Sequence, residues 1–140
     1  MILLDTNVLS ALMQREPEPA VVAWLDAQGA ESVWISSVTL FEARYGIALL
    51  PEGQRKTRLE HELDQLMQVE FGQRVLVFDA QAARQAALLA ARRKAQGRNV
   101  DVRDTWIAGV ALAHGATLAT RNTRHFDDLT TPVVNPWQRS

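Results

Sequence analysis

Three acids in this chain stand where a folded core would want an apolar residue. Asp5 ends the run Ile2-Leu3-Leu4. Glu42 falls at helical spacing on a stripe with Val38, Tyr45 and Leu49, and Asp104 on one with Val100, Ile107, Ala108 and Ala111. An ionised carboxylate in a core is costly unless a cation or a dense hydrogen-bond shell meets it. Each acid alone has an ordinary reading: Asp5 and Asp104 can cap helices, and Glu42 can reach past its neighbours to solvent. Three together, from separate parts of the chain, point to one shared cation. Hard cations such as Mg²⁺ and Mn²⁺ take oxygen ligands, commonly one or two carboxylates with waters and substrate phosphates. The chemistry expected of such a cluster is hydrolysis of a phosphodiester by an activated water.

The elements that must carry these acids can be read from the apolar pattern. Ile2-Leu3-Leu4 is a short continuous run of the kind found in strands covered on both faces. Asp5-Thr6-Asn7 offers caps for a helix through Val8, Leu9, Leu12 and Met13. Glu16-Pro17-Glu18-Pro19 breaks it, and a second helix runs from Ala20 to Gln28 before Gly29. Val33-Trp34-Ile35 is a second strand. Ser36 and Ser37 cap the helix that carries Glu42, which runs to about Leu50. Pro51 and Gly53 mark a turn. A further helix spans about Arg55 to Phe71 on Leu59, Leu63, Leu66 and Met67. Val75-Leu76-Val77-Phe78 is a third strand, and Asp79 caps an alanine-rich helix that ends near Gly97. The helix carrying Asp104 stops at Gly115, followed by a strand over Ala116 to Thr120 and a short fifth at Val133-Val134. This alternation predicts an α/β fold of three layers, helices packing on both sides of a central, mostly parallel sheet of four or five strands. Ligands of such sheets bind beyond the carboxyl ends of the strands. Asp5 and Asn122 each follow a strand directly, so both belong at that end.

Composition narrows the class. The 140 residues are 47% apolar and 22% charged, and are expected to form a single domain over residues 1–140 with a sizeable core. There is no cysteine, which removes disulfides, thiolate–zinc sites and cysteine nucleophiles, and accords with a reducing, cytoplasmic setting. The N-terminus has neither the basic nor the long apolar region of a signal peptide, and no apolar run is long enough to span a membrane. The formal net charge of −1 gives no overall attraction to nucleic acid, so any polyanion must be met by a local patch. His61, His114 and His125 form no metal-ligand spacing with one another, and His114 before Gly115 reads as a helix end. The chain has no glycine-rich phosphate loop and no nucleophile elbow. Asp5-Thr6-Asn7 lacks the second aspartate of an aspartate-nucleophile phosphatase.

Several motifs, in order, carry a resemblance. Asp5-Thr6-Asn7-Val8-Leu9 follows the first strand. Glu42 lies on the helix after the second, and Asp104-Thr105-Trp106-Ile107-Ala108 on a later one. Thr120-Arg121-Asn122 precedes Phe126. Together they resemble a PIN domain, most closely the VapC toxins of bacterial toxin–antitoxin pairs. The FitB-like branch of these ends in an Asn-Pro-Trp similar to Asn135-Pro136-Trp137. The resemblance implies a Mg²⁺- or Mn²⁺-dependent endoribonuclease in which Asp5, Glu42 and Asp104 match the family's acidic triad. Asn122 stands where many members carry a fourth acid. An amide can orient a metal-bound water but adds no charge, which weakens the expected hold on a second ion. Thr6, Asn7 and Thr120 are expected to hydrogen-bond the carboxylates. The resemblance further implies a homodimer and a small VapB/FitA-like antitoxin, with operator DNA contacted only through that partner and no membrane association.

Arg92-Arg93-Lys94-Ala95-Gln96-Gly97-Arg98, leading to Arg103, suits an RNA backbone, since neutralising phosphates supplies sequence-independent affinity. Arg93, Arg98 and Arg103 are therefore candidate RNA contacts, as are Arg121 and Arg124 beside Asn122. The same cations would equally favour a helix C-terminus. Arg44 points elsewhere and is expected to be structural or at an interface. Trp24, Trp34 and Trp106 fall in apolar-patterned elements and are expected in the core. An apolar groove for the antitoxin is expected between Val8–Met13 and Phe41–Leu50, provided those surfaces are not packed inside the monomer. A different class of function remains open, a catalytically silent module of the same fold that binds RNA or a protein partner. Asn122 is the residue that favours it.

Overall fold

A computed structural model describes residues 1–138. Five strands form one wholly parallel sheet: β1 (Ile2–Leu4), β2 (Val33–Ser36), β3 (Val75–Leu76), β4 (Thr117–Ala119) and β5 (Val133–Val134), in the order β3-β2-β1-β4-β5. The chain moves outward from β1 through β2 to β3, then crosses to the other side of β1 to add β4 and β5. The order therefore reverses between β1 and β4, and a crevice opens there at the carboxyl ends of the strands.

Six helices cover the sheet: α1 (Thr6–Leu12), α2 (Pro19–Asp26), α3 (Ser37–Ala48), α4 (Gln54–Gln65), α5 (Ala80–Ala95) and α6 (Val102–His114). Strand residues alternate between faces. Leu3 and Leu118 pack with Ala82 and Leu89 of α5 and Ile107, Val110 and Ala111 of α6. Leu4, Ile35 and Ala119 pack with Val8 and Leu9 of α1, Val21 of α2, Ile47 of α3 and Leu63 of α4. Two apolar cores on opposite faces of one sheet make the three layers. No helix among the described residues is long and apolar enough to cross a membrane.

Local chemistry sets the helix ends. The side chains of Ser36, Asp79 and Asp101 accept from the backbone N–H of Thr39, Ala82 and Asp104 at 3.0, 3.0 and 2.9 Å. Asp101, not Asp104, caps α6, which leaves the Asp104 carboxylate free for the cleft. Gly115 closes α6 in the left-handed region, at φ 61°. Strand β3 is shorter than its apolar run, and α4 ends in a five-residue π turn, Leu66–Glu70, with Phe71 N–H bonded to Leu66 O at 2.9 Å.

The alanine-rich face of α5 lets α6 approach closely, and Gly109 sits at the contact. A Cβ there would lie 2.6 Å from Ala82 O and 2.7 Å from Ala86 Cβ. Backbone cannot yield as a flexible side chain can, so Gly109→Ala is expected to cost about 2 kcal/mol or more by overpacking. Urea unfolding checks this, and an unchanged midpoint would mean the helices separate freely.

Candidate active site

The sheet's carboxyl edge places Asp5 first. It follows β1, its backbone N–H bonds Ala119 O of β4 at 2.9 Å, and its residue surface is 4% exposed. The carboxylate is gripped by neighbours. Thr6 N–H donates to Oδ1 at 2.8 Å, Thr120 Oγ1 donates to Oδ2 at 2.7 Å, and Asn7 Nδ2 lies 3.3 Å from Oδ2. Thr120 follows β4 directly, so the 2.7 Å bond joins the two strands that flank the switch point. Burial pushes the Asp5 carboxyl up to about 6, with the Asp104 and Glu42 charges adding to the rise and the Thr120 and Thr6 bonds opposing it.

Glu42 reaches the cleft from α3. Thr6 Oγ1 donates to its Oε1 at 2.7 Å, and Arg103 Nη1 stands 3.6 Å from Oε2. Asp104 comes from the first turn of α6, where burial raises its carboxyl and the bond to His125 opposes that rise. His125 Nδ1 lies 3.0 Å from Asp104 Oδ2. The sequence carries no signal for His125, which shares no ligand spacing with His61 or His114 and stands 21 residues from this partner. Asn122 N–H donates to Thr120 Oγ1 at 3.1 Å, which ties the fourth position to the Asp5 network.

Asp5, Glu42, Asp104 and Asn122 line one cleft of about 570 Å³ with Thr6, Asn7, Arg121 and Trp137. Only Asp5 is a core residue. The side chains of Glu42 and Asp104 are 21% and 26% exposed, and the stripe expected to bury Glu42 faces outward at Tyr45 and Leu49. The helices diverge past the strand ends, so positions that follow a core pattern along each helix emerge on the wall of a crevice.

The cleft also carries Glu16 and Glu18, and Arg121 is the one cation among its lining residues. Crowded carboxylates with so little compensating charge suit a hard divalent cation. Among the described residues no three acid or imidazole side chains lie close enough together to hold an ion by themselves, so an ion here would rest on one or two carboxylates together with waters or substrate oxygens.

The basic candidates fare unequally. Arg93 is no surface contact. Its side chain is 3% exposed, donates from Nε and Nη2 to both oxygens of Asp128 at 2.8 Å, and gives a further 2.8 Å bond to His125 O. Residue periodicity could not show this, because Asp128 lies 35 residues away. Arg98 is paired with Asp127 and Asp128 at 3.1 and 3.3 Å. Arg103 lies over the stacked rings of Phe41 and Tyr45 besides facing Glu42. Arg121 and Arg124 remain exposed, Arg121 lining the cleft with Asp5 and Arg124 a neighbouring hollow with Asp104 and His125. Arg44 bonds Asp64 at 2.9 Å, joining α3 to α4.

Two further expectations change. Val8, Leu9 and Met13 are packed in the monomer core, so α1 offers no apolar wall for a partner, whereas Phe41, Tyr45 and Leu49 on α3 are exposed. Helix α1 follows the central strand and lies flat on the sheet, which consumes its apolar side. Trp106 is 39% exposed and packs against Phe78 on the surface, outside the core; Trp24 and Trp34 are partly buried against the two cores.

Comparison with known proteins bears on the same features. The PIN domain family model matches residues 2–131. The VapC ribonuclease Y4jK of Sinorhizobium fredii is 41% identical over 138 residues, 99% of each chain. Toxin FitB of Neisseria gonorrhoeae is 40% identical over 137 residues, 98% of this chain and 99% of that one. A solved structure of FitAB bound to an IR36 DNA fragment superposes at a TM-score of 0.90 and 38% identity, covering 100% of this chain and 98% of its counterpart. Parallel topology, an acid at the carboxyl end of the first strand and these matches over nearly the whole length agree: the chain belongs to the PIN domain family.

Proposed function

We propose that this protein is the toxin of a type II toxin–antitoxin pair and acts as a metal-dependent endoribonuclease. The observation that carries the reading is Asp5, buried and hydrogen-bonded at the switch point, in one cleft with Glu42, Asp104 and Asn122. Kinship with a VapC ribonuclease and with toxin FitB supports it.

Asp5 and Asp104 are the residues that would hold Mg²⁺ or Mn²⁺. When bound, such an ion supplies neutralisation of the scissile phosphate and a more acidic water. The chain's own groups do the rest. Thr120 and Thr6 fix the rotamer of Asp5, and Thr6 also fixes Glu42. Glu42 is placed to orient the attacking water and accept its proton. Asn122 lines the same cleft, and His125 holds one oxygen of Asp104. Arg121 and Arg124 are exposed where the RNA backbone would leave the cleft.

An end-labelled RNA incubated with the purified chain tests this. Cleavage that needs Mn²⁺ or Mg²⁺, stops with chelator and falls at least a hundredfold in Glu42→Gln is the expected result. Retained cleavage in chelator would overturn the metal assignment. RNA binding with no cleavage under any ion would favour the silent module that Asn122 allows, and cleavage confined to single-stranded DNA would change the substrate.

Ion binding has a stability counterpart. Because the crowded carboxylates repel one another, Mg²⁺ or Mn²⁺ should raise the melting temperature by several degrees, scaling with ion concentration. Equal shifts in wild type and in Asp5→Asn would place the ion elsewhere.

The FitAB complex on DNA supports a FitA/VapB-like antitoxin as partner, with operator DNA reached through it, and the formal net charge of −1 agrees with leaving DNA contact to that partner. We assign the toxin itself to a homodimer in the cytoplasm, where its RNA is; sedimentation of the isolated chain tests the dimer.

A further inference from the structure

The aromatic wall of the cleft has no part in the chemistry above. Trp137 lines the same cleft as Asp5, Asp104 and Asn122, and the guanidinium of Arg121 lies 4.9 Å from the indole centroid. Both residues are held in place. Trp137 N–H donates to Asn135 Oδ1 at 2.9 Å across the buried Pro136, which fixes the turn that presents the ring. Arg121 N–H donates to Asn7 Oδ1 at 3.2 Å, and Asn7 in turn contacts Asp5. The planar cation is thus registered to the catalytic carboxylate through Asn7, and the aromatic ring lies under that cation.

We propose that Trp137 and Arg121 form a nucleobase subsite, stacking the unpaired base of a nucleotide that adjoins the phosphate in the cleft. Electrostatics give the physical reason. Asp5, Glu16, Glu18, Glu42 and Asp104 face Arg121 alone among the lining cations, so the side chains by themselves give a polyanion little attraction away from the bound ion. Stacking does not depend on the phosphate charge and tolerates any base, and an arginine guanidinium plane serves as a platform for a base as an aromatic face does. A base can reach such a platform only when it is splayed from its helix, which makes the preferred substrate a single-stranded or looped segment of RNA. Trp137 is packed against the core that holds Leu4 and Ile35, and the Arg121 guanidinium already lies over its ring, so the base stacks on that guanidinium, which Trp137 supports. The inference rests on the ribonuclease reading and assigns Arg121 and Trp137 to the base beside its phosphate.

The test separates the two. A fluorescein-labelled, unstructured oligoribonucleotide and the same oligomer carrying abasic nucleotides are titrated into the full chain bearing Asp5→Asn, with and without Trp137→Ala. Trp137→Ala should weaken binding of the base-bearing RNA by about ten- to a hundredfold and leave the abasic RNA nearly unchanged. Trp137→Phe should keep most of the difference, and Trp137→Leu should lose it; these two decide the matter if the alanine variant does not fold. Equal weakening of both oligomers by Trp137→Leu, or no weakening of either, overturns the subsite while leaving the nuclease standing. Failure of the Asp5→Asn chain to bind any RNA, with no cleavage by the unsubstituted chain, overturns the subsite and the ribonuclease reading together.

Discussion

Asp5→Asn is expected to lower RNA cleavage by on the order of a thousandfold or more and, in the same protein, to make the ion-free fold more stable. The two effects share one cause. Asp5 is held at the switch point as a nearly buried charge, and burial raises its carboxyl from 3.8 to about 6. Between those values the native state binds the proton more tightly than the unfolded chain does, so stability falls as pH rises through the window. The cost is absent below about pH 4 and fully present above about pH 6. A shift of this size corresponds to on the order of 2–3 kcal/mol, at about 1.4 kcal/mol per pH unit. The amide carries no charge and should recover about 1–2 kcal/mol of this at pH 7, less than the whole because its Nδ2 meets Thr120 and Asn7 in place of an oxygen. The gain should vanish near pH 4. Thermal melts of both proteins in chelator across pH 4 to 7.5 read it directly. A variant that is inactive and also less stable at pH 7 would show Asp5 to be a structural hydrogen-bonding group first. A divalent ion should offset the pH-dependent loss in the unsubstituted protein and have little effect in the variant.

The second large effect lies away from the carboxylates. Asp128→Ala should destabilise the fold by about 3 kcal/mol, because it strands the guanidinium of Arg93, which is 3% exposed, without its bidentate partner. The remaining bonds to His125 O and Thr105 Oγ1 are neutral and cannot replace the charge. Replacing both partners, Arg93→Met with Asp128→Leu, should cost less than Asp128→Ala alone, since two apolar groups leave no orphaned charge. The pair also has a position. It straps the turn Thr123–Phe126, which carries His125 and adjoins Asn122, to helix α5. The double variant should therefore fold yet cleave more slowly, with the loss in kcat, because the turn that brings His125 to Asp104 and adjoins Asn122 is no longer held. The Arg93 guanidinium also keeps Asp128 below the usual carboxylate range. That contribution is present above about pH 4 and lost as pH falls below it. Chemical denaturation of the two variants measures the first claim, and single-turnover cleavage the second. If the double variant is the less stable of the two, the pair is a source of net stability in its own right.

Much of the architecture was legible along the chain. Short apolar runs separated by capped helices determine a parallel sheet covered on both sides. Serine and aspartate at Ser36 and Asp79 mark helix starts where local hydrogen bonding dictates them. The ends of elements were less legible, because strand β3 is set by how far β2 can pair with it and the last turn of α4 opens into a π turn, and both are tertiary effects. The three acids stand out from the apolar pattern for different reasons. Asp5 is a core charge, as its place at the end of an apolar run implies. Glu42 and Asp104 are not: they share their helices' apolar periodicity, yet the cleft begins where the core ends.

What the sequence by itself determined is therefore local. It specifies which residues form strands and helices, which residue follows each strand, and which acids stand out from an apolar pattern, because those depend on neighbours within a few positions. Only the tertiary structure decided what those residues meet. It joined Thr120 to Asp5 across 115 positions, gave Asp104 the imidazole of His125, buried Arg93 on Asp128, and set Arg121 over Trp137 at the rim. No periodicity encodes such pairs, because they arise from the reversal of strand order between β1 and β4. That reversal brings the ends of distant elements into one crevice, and there the low dielectric makes each charge's partner decisive.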